Sequence, residues 1–596
     1  LRLSTIITSS RLQLDEGGFS INIERSRGIR LFACMNPAFE VGKKALPTRT
    51  SNLMSSFKVS AMENVDEIAN LISHLFRRLP SVNKSITFSL AEFFHKIRYL
   101  SQVNEIRDTN DRKLPISIRQ LRRGIELSKS LMESEHITIG VINALYAGCR
   151  VAFRLEMSTE SQSKFDCLFD EIMHSKEIAK RYVREDFFML TPKSFRILLS
   201  HPIPNFGTFI EIPPHILTPT LSELLPDILK VLSFNSELPI LLEGPTSCGK
   251  TSLLTFLAAH YGKKLVRINN HRDTDVEEYI GGWVPDVQGG ARFKEGVLLT
   301  AMRNGQWLLL DELNLAKSEI LEALNRILDD NREIYVPELN ETVRPATGFR
   351  IFATQNPSSY SGRSLLSAAF RNRFISVSLD HLTNEDLIRV MQERGQLPES
   401  RLKSILSTMN RLHSLRSVDS ALGGKESLIT VRDLLRWSSR PMSAESKEGL
   451  AMEGFWLLGE RVREMDNKKM IENIISKECI GKETSLDKSY ELIYQDILQK
   501  YPVVLDLIAQ LNLRVNNSFK RALALGFRAL SNQQSVLLIG EAGTGKTSIA
   551  NLISKILNVV YYSINCHKQT EAADFLGSWR PKRDIHGFEW VEGELI

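Results

Sequence analysis

No apolar run in the 596 residues approaches the roughly 18 that a membrane-spanning helix needs, so none is expected. Cysteine is scarce: six residues, Cys34, Cys149, Cys167, Cys248, Cys479 and Cys566, lie far apart. No two have C-x-x-C spacing, which argues against the common zinc sites and a disulfide framework and fits a reducing compartment. A charge excess is also missing. Lys and Arg number 76 against 70 Asp and Glu, so the net charge of +6 makes no case for sequence-specific nucleic-acid binding or a membrane-surface role. There is no long heptad run of the kind that builds a coiled-coil stalk. The chain opens on Leu1 with no leader pattern, and the expectation is a piece of a longer polypeptide. What remains is ordinary globular composition, 42% hydrophobic and 24% charged, at a length that predicts about four compact units.

An internal repeat organises the chain. LPILLEGPTSCGKTSLLTFLA (238–258) parallels SVLLIGEAGTGKTSIANLIS (535–554). The match continues from RINNHRDTDVEEYIGGW (267–283) to SINCHKQTEAADFLGSW (563–579), and from ARFKEGVLL (291–299) to FEWVEGELI (588–596). Agreement in order over so long a stretch marks duplicated modules. The first residues match another part of the same module: GIRLFACMNPAFE (28–40) parallels GFRIFATQNPSSY (348–360), with Asn36 opposite Asn356.

Two acidic pairs follow aliphatic residues, Asp15-Glu16 and Asp311-Glu312. Glu312 precedes Asn356 by 44 residues, but Glu16 precedes Asn36 by only 20. LDEGGFSINIE instead aligns with LDDNREIYVPE (328–338), so Asp15-Glu16 reads as a β-hairpin turn. The chain is therefore expected to hold the end of one module, one whole module and the start of a third. The expected units are 1–60 (the end of an α/β subdomain), 61–175 (its helical lid), 176–378 (a complete α/β subdomain), 379–478 (its lid) and 479–596 (the start of the next module). The mixed, Pro-containing stretch 182–212 reads as a joint between units.

G-x-x-x-x-G-K-[ST] occurs twice. The first loop comprises Gly244, Pro245, Thr246, Ser247, Cys248, Gly249, Lys250, Thr251 and Ser252. The second comprises Gly540, Glu541, Ala542, Gly543, Thr544, Gly545, Lys546, Thr547 and Ser548. Small residues let successive backbone N–H groups surround a phosphate, and the following helix adds its positive end. Lys250 and Lys546 can reach the β- and γ-phosphates of ATP, and Thr251 and Thr547 offer hydroxyls to Mg²⁺. Cys248 is read as a packed small residue.

WLLLDELNLAKSEILEALNRIL (307–328) reads as a buried strand, a polar tip and a helix. Asp311 can join the Mg²⁺ shell, and Glu312 can orient and deprotonate an attacking water. FRIFATQNP (349–357) ends at Asn356, whose amide both donates and accepts, which suits holding a water against a γ-phosphate. Arg371 and Arg373, in SAAFRNRF, carry the rigid charged fork that suits a transferring phosphoryl group. Arg432 stands early in an amphipathic helix from which it can touch the same phosphate.

In this order, the loops, WLLLDELN, ATQNP and AFRNRF resemble the AAA+ ATPases. The insertions EEYIGGWVPDVQGGARFKEG (277–296) and REIYVPELNETVRPATGF (332–349) resemble the helix-2-insert group, which includes MoxR-type proteins, dynein and midasin. LLEGPTSCGKTS, RINNHRDTDVEEYIGG, LDELNLAKSEILEALNRILDDNREIYVPE and INCHKQTEAADFLGS are similar to the midasin family in particular. The resemblance implies an α/β fold of tandem AAA+ modules, each a P-loop parallel β-sheet sandwiched by helices plus an α-helical lid. It places Arg119, in ISIRQLRRG, opposite Arg432. The family's Gly-Leu-Arg-Ser-Arg-Phe stretch is replaced by TRTSNLMSSFKVS in the first module, leaving Arg49 as the nearby arginine.

The resemblance also implies partners. Nucleotide would sit between neighbouring AAA+ modules of one polypeptide, with Arg371 and Arg373 reaching the preceding module's nucleotide. The central site would take its arginine from the following module, so hydrolysis by this chain alone is expected to be weak. The family implies remodelling of large-subunit preribosomal particles and release of assembly factors, in the nucleolus and nucleoplasm. The alternatives are a static ATP-binding scaffold, or a dynein-like motor, which would require the missing stalk.

Overall fold

The computed structural model describes residues 11–14 and 19–22 and, apart from short interruptions, 54–174 and 218–595. Asn36, Arg49 and the expected joint at 182–212 lie outside the described residues. Strands β1 (Arg11–Leu14) and β2 (Phe19–Asn22) pair antiparallel with Leu14 opposite Phe19. Asp15 and Glu16 therefore fall between two hairpin strands, as the spacing predicts. The alignment with 328–338 does not hold in register: Leu328 ends a helix, and the matching hairpin turns at 337–340.

Among the described residues, five helices form the first lid: α1 (Val65–Leu75), α2 (Lys84–Gln102), α3 (Ile118–Glu133), α4 (Val141–Phe153) and α5 (Thr159–His174). Asn64 and Asn83 cap the first two by accepting from backbone N–H groups inside the first turn. Phe93 meets Phe165 and Phe169 edge-on at the centre, and Tyr146 meets Phe169. Helices α3 and α4 cross at Gly124 and Gly148. A Cβ on Gly148 would lie 2.1 Å from the Gly124 carbonyl oxygen, so only glycine permits the approach.

The central α/β unit runs α6 (Pro219–Ser233), β3 (Ile240–Glu243), α7 (Lys250–His260), β4 (Leu265–Asn269) and α8 (Val276–Tyr279). It continues with β5 (Gly281–Pro285), β6 (Ala291–Glu295), α9 (Val297–Arg303), β7 (Trp307–Asp311) and α10 (Ser318–Leu328). Then come β8 (Ile334–Val336), β9 (Glu341–Val343), β10 (Arg350–Gln355), α11 (Ala368–Arg371) and β11 (Ile375–Ser378). Both insertions are antiparallel hairpins, β5–β6 and β8–β9.

The sheet is parallel, in the order β11-β3-β10-β7-β4. β3, β7, β10 and β11 are buried along their length, because both faces of the sheet are covered. Leu242, Leu309 and Phe352 face α6 and α7, and Leu241, Leu308, Leu310 and Ile351 face α9 and α10. The first core also takes in Leu127, Ala147 and Val151 of the first lid, so that lid and the central unit share one apolar interior.

The second lid holds α12 (Asn384–Gly395), α13 (Glu399–Val418), α14 (Val431–Ser439), α15 (Pro441–Glu445), α16 (Lys447–Leu458) and α17 (Met465–Ile480). It repeats the first: α3 corresponds to α14 and α4 to α16. At the same crossing point, Gly454 lies against the buried indole of Trp437.

Helices α18 (Tyr490–Lys500), α19 (Val503–Gln510), α20 (Asn517–Ser531) and α21 (Lys546–Leu557) share a core with this second lid. After α22 (Ala572–Leu576), strands β12 (Gly577–Pro581) and β13 (Phe588–Glu592) repeat the β5–β6 hairpin. Trp579 meets Trp590 as Trp283 meets Phe293. One expectation fails here. The apolar run before the second loop is not a strand, and Leu537 and Ile539 are exposed. In the central unit the equivalent β3 is held between β10 and β11, and 535–539 pairs with no strand among the described residues. Apolar sequence makes a strand only where a neighbour takes its hydrogen bonds.

Candidate functional site

The carboxyl ends of β3, β7 and β10 lie side by side, with Glu243 opposite Gln355 and Leu310 opposite Ala353. In an open parallel sheet this edge is where ligands bind. The loop after β3 turns through Ser247 at φ 66° and Gly249 at φ 95°. Left-handed residues in such a turn aim successive N–H groups inward, an anion nest. At its start, a Cβ on Gly244 would lie 2.6 Å from the Leu379 carbonyl oxygen, which excludes any larger residue. Lys250 opens α7, and its ammonium donates to the carbonyl oxygens of Gly244 (2.8 Å) and Pro245 (2.7 Å) and to Asn356 Oδ1 (2.9 Å). Burial draws its pKa below the ordinary lysine value, against the opposing pull of Asp311 and Glu312. The Cys248 sulfur lies 3.7 Å from the same ammonium; burial pushes its thiol up, and Lys250 pulls it down.

Asp311 ends β7. Its Oδ1 accepts from Thr354 Oγ1 and its Oδ2 from Thr251 Oγ1 at 3.3 Å. The Arg267 guanidinium approaches that second oxygen to 2.5 Å. Glu312 follows in the left-handed region at φ 52°, unusual for a non-glycine residue and a conformation that costs energy. Its N–H donates to Thr354 Oγ1 at 3.1 Å, and its Oε1 accepts from Asn356 Nδ2 at 3.3 Å. Asn356 thus touches Lys250 with its oxygen and Glu312 with its nitrogen. These residues line one cavity of about 270 Å³, whose other wall comes from α12 and α14 of the second lid through Val390, Arg394, Arg432 and Leu435.

The structure therefore brings Lys250, Thr251, Asp311, Glu312, Asn356 and Arg432 to one cavity and leaves Arg371 and Arg373 outside it. Arg371 is buried, with its Nη2 2.8 Å from Glu243 Oε2 and 3.9 Å from Glu156, and its Nη1 3.7 Å from Asp108. The guanidinium is thus enclosed between Glu243 at the end of β3 and Asp108 and Glu156 of the preceding lid. Arg373 forms a two-pronged pair with Asp329, which Arg119 also reaches at 3.3 Å. In the second loop, Lys546 donates to Gly540 O, as Lys250 does to Gly244 O.

Sequence reasoning missed Thr354, Asn270, Asn314 and Arg267. Thr354 bonds both acidic-pair residues. The side-chain nitrogen of Asn270 donates to Asp311 O at 2.9 Å, and Tyr279 OH holds the amide oxygen of Asn270 at 2.6 Å. Asn314 Nδ2 donates to Asn356 O at 2.8 Å. Alternation along β10 would have found Thr354, which stands two residues before Asn356 on the same side of the strand. The fit to Mg²⁺ rests on donor chemistry: the Thr251 hydroxyl and Asp311 carboxylate are hard oxygen donors in hydrogen-bond contact.

A model of an AAA domain of the dynein-related subfamily matches residues 239–374 and 535–596. Two models of midasin AAA lid domains match 67–176 and 386–480. The midasin of Dictyostelium discoideum is 34% identical over 98% of this chain and 10% of its own length. That of Giardia intestinalis is 32% identical over 96% of this chain and 12% of its own. An uncharacterized protein of Staphylococcus haemolyticus is 31% identical over 34% of this chain and 77% of its own length. The chain spans about a tenth of the midasins it matches. With lid models on both helical units and a dynein-related AAA model on the cavity-bearing unit, the chain belongs to the midasin family of AAA proteins.

Proposed function

We propose that the central unit binds and hydrolyses ATP with Mg²⁺, as one station of a mechanochemical ring. The observation that carries this is the convergence of Lys250, Thr251, Asp311, Glu312 and Asn356 at the carboxyl edge of the parallel sheet. The N–H nest of Ser247 to Lys250 cradles the phosphates, and Lys250 neutralises them. Thr251 and Asp311 hold the metal, which when bound offsets charge on the phosphate oxygens. Glu312 orients a water and takes its proton, and Asn356 keeps the Glu312 carboxylate in place. Arg432 and Arg394 add positive charge from the lid, so that a triphosphate draws the second lid towards the sheet.

Of the two arginines expected to serve a neighbour, Arg373 keeps that role and Arg371 is a packing ion. The central site takes its own finger from the following module, a group worth about 10³ or more in rate, so this chain alone binds ATP well and turns it over slowly. The second loop is a further nucleotide site, with Thr547 as its metal-facing hydroxyl. Movement of the lids against the α/β units passes to large-subunit preribosomal particles and their assembly factors in the nucleus. This last step rests on the family resemblance alone.

Titration of a fluorescent ATP analogue with Mg²⁺, beside phosphate release, tests the reading. The expected result is saturable binding from which Lys250→Ala removes the share of the central site and leaves that of the second loop, with slow turnover that Glu312→Gln removes. Binding unaffected by Lys250→Ala would overturn the site. Fast turnover by this chain, lost in Glu312→Gln, would overturn the split between neighbours.

A further inference from the structure

Two lids, each followed by a further unit, occur in this chain. In the first junction, helix α4 of the lid packs on α6, which precedes β3. In the second, α16 of the lid packs towards α20, which precedes the second loop. Each contact contains buried charge, and the polarity is reversed between them.

At the first junction the acid belongs to the α/β unit. Asp227 of α6 is buried; its Oδ2 takes Arg150 Nε of the lid at 2.7 Å, and its Oδ1 takes Lys230 Nζ of its own helix at 3.2 Å. At the second junction the acid belongs to the lid. Glu453 of α16 is fully buried; its Oε2 takes Arg440 Nη1 of its own lid at 2.9 Å, and its Oε1 takes Arg528 Nε of α20 at 3.0 Å. Arg440 also reaches across to Gln534 at 2.8 Å. Each junction thus sets one acid between two cations, one from its own side and one from the opposite side.

Buried ion pairs add little stability over well-packed apolar groups of the same size, but removing one partner is costly. Their use lies in rejecting wrong partners. We propose that these two ionic triads are docking keys that make each lid accept the unit following it and refuse the other. A crossed assembly would bring Arg528 to the first lid, which holds Arg150 and lacks Glu453, and Asp227 to the second lid, which lacks Arg150, so that each buried ion loses the opposite charge it meets at its own junction. This inference concerns assembly of the repeats and stands independently of ATP turnover.

The test uses the whole chain with Arg150→Glu, Asp227→Arg and the two combined. Arg150→Glu leaves two acids with one lysine, and Asp227→Arg leaves three cations. The combined variant restores one acid between two cations, with the acid on the lid as at the second junction. Hydrogen exchange of 141–153 and 219–233 is expected to rise about tenfold or more in each single variant and to return within about threefold of the parent when combined. The combined variant gives both junctions the same polarity. Diluted from urea, it is expected to recover about half or less of the parent's share at the original size by light scattering, because either lid then fits either unit. Failure of the combined variant to restore exchange would show that the charges do not pair as a key. Restored exchange with refolding as clean as the parent's would show a packing role only. Either result overturns the proposal.

Discussion

The Lys250 ammonium donates to the side-chain oxygen of Asn356 at 2.9 Å, joining the phosphate loop to the end of the next strand in the sheet. The other end of that amide reaches Glu312 at 3.3 Å, so one side chain bonds both the loop lysine and the second residue of the acid pair. Asn356→Ala is expected to leave ATP affinity within about threefold while lowering turnover about tenfold or more. Lys250→Ala is expected to lower affinity about 100-fold, roughly 2.7 kcal/mol. Analogue titration and phosphate release separate the two. Equal loss of binding in both variants would remove the sensing role of Asn356.

Thr354→Val keeps shape and removes a hydroxyl that serves two neighbours. Asp311 Oδ1 loses the Thr354 hydroxyl, and the Glu312 N–H loses that oxygen as acceptor. Leaving such groups unpaired costs about 1–3 kcal/mol, and both hold the acid pair in register. The expected outcome is a lower urea midpoint together with weaker Mg²⁺-dependent binding, with Thr354→Ser close to the parent. A Thr354→Val chain as stable as the parent would mean that water replaces the hydroxyl.

Much of the site was legible because its chemistry is local. A glycine loop, a lysine and a threonine are adjacent in sequence, and β3 and β7 announce themselves as apolar runs that end in an acid. What sequence reading missed depends on neighbours. Arg371 and Arg373 look interchangeable in SAAFRNRF, yet the carboxylates Asp108 and Glu156 that surround the first belong to a distant lid. Residues 535–539 have strand composition, but a strand forms only beside another. Arg267 sits on β4 with a half-exposed side chain, and only the pairing of β4 with β7 sets it against Asp311. The glycines at the helix crossings carry no motif at all, because the need for them arises from the helix opposite.

Arg371→Ala should separate the first lid from the central unit. It leaves Glu243, Asp108 and Glu156 buried without their shared cation, and burial already raises the Glu156 pKa above the ordinary carboxylate value. Removing one partner of a buried ionic group costs about 3–5 kcal/mol. Arg373→Ala removes a pair with a partly exposed carboxylate and should cost much less. Hydrogen exchange across 103–116 and 150–157 is expected to rise in Arg371→Ala alone. Equal effects from both would return the two arginines to one role.

Gly148→Ala and Gly454→Ala test the crossing points of the two lids. The added methyl would lie 2.1 Å from Gly124 O in the first and 2.1 Å from Trp437 Cζ2 in the second. Overpacking of this kind costs about 1–3 kcal/mol. The first should cost more, because backbone cannot rotate aside, whereas an indole can shift. Thermal unfolding of the two variants checks the order.

Acid should loosen the second lid through two helix-starting carboxylates. Asp386 accepts from Thr220 Oγ1 at 2.5 Å and from the Thr383 N–H at 3.0 Å, and Asp433 accepts from Arg461 at 2.5 Å and from the Thr430 N–H at 2.9 Å. Burial alone would raise both pKa values. The Thr220 hydroxyl and Thr383 groups outweigh it at Asp386, and Arg461 and Thr430 outweigh it at Asp433, so both lie below the ordinary 3.8. A carboxyl that binds its proton less readily folded than unfolded contributes stability above the unfolded value and loses it as pH falls through the folded one. Exchange rates over 384–458 should therefore be flat from about pH 7 to 5 and climb below about pH 4 once corrected for intrinsic chemistry. Asp386→Asn and Asp433→Asn keep an oxygen acceptor but cannot titrate, so each should flatten that climb. An acid response of the same steepness in both variants would place its origin in other carboxylates.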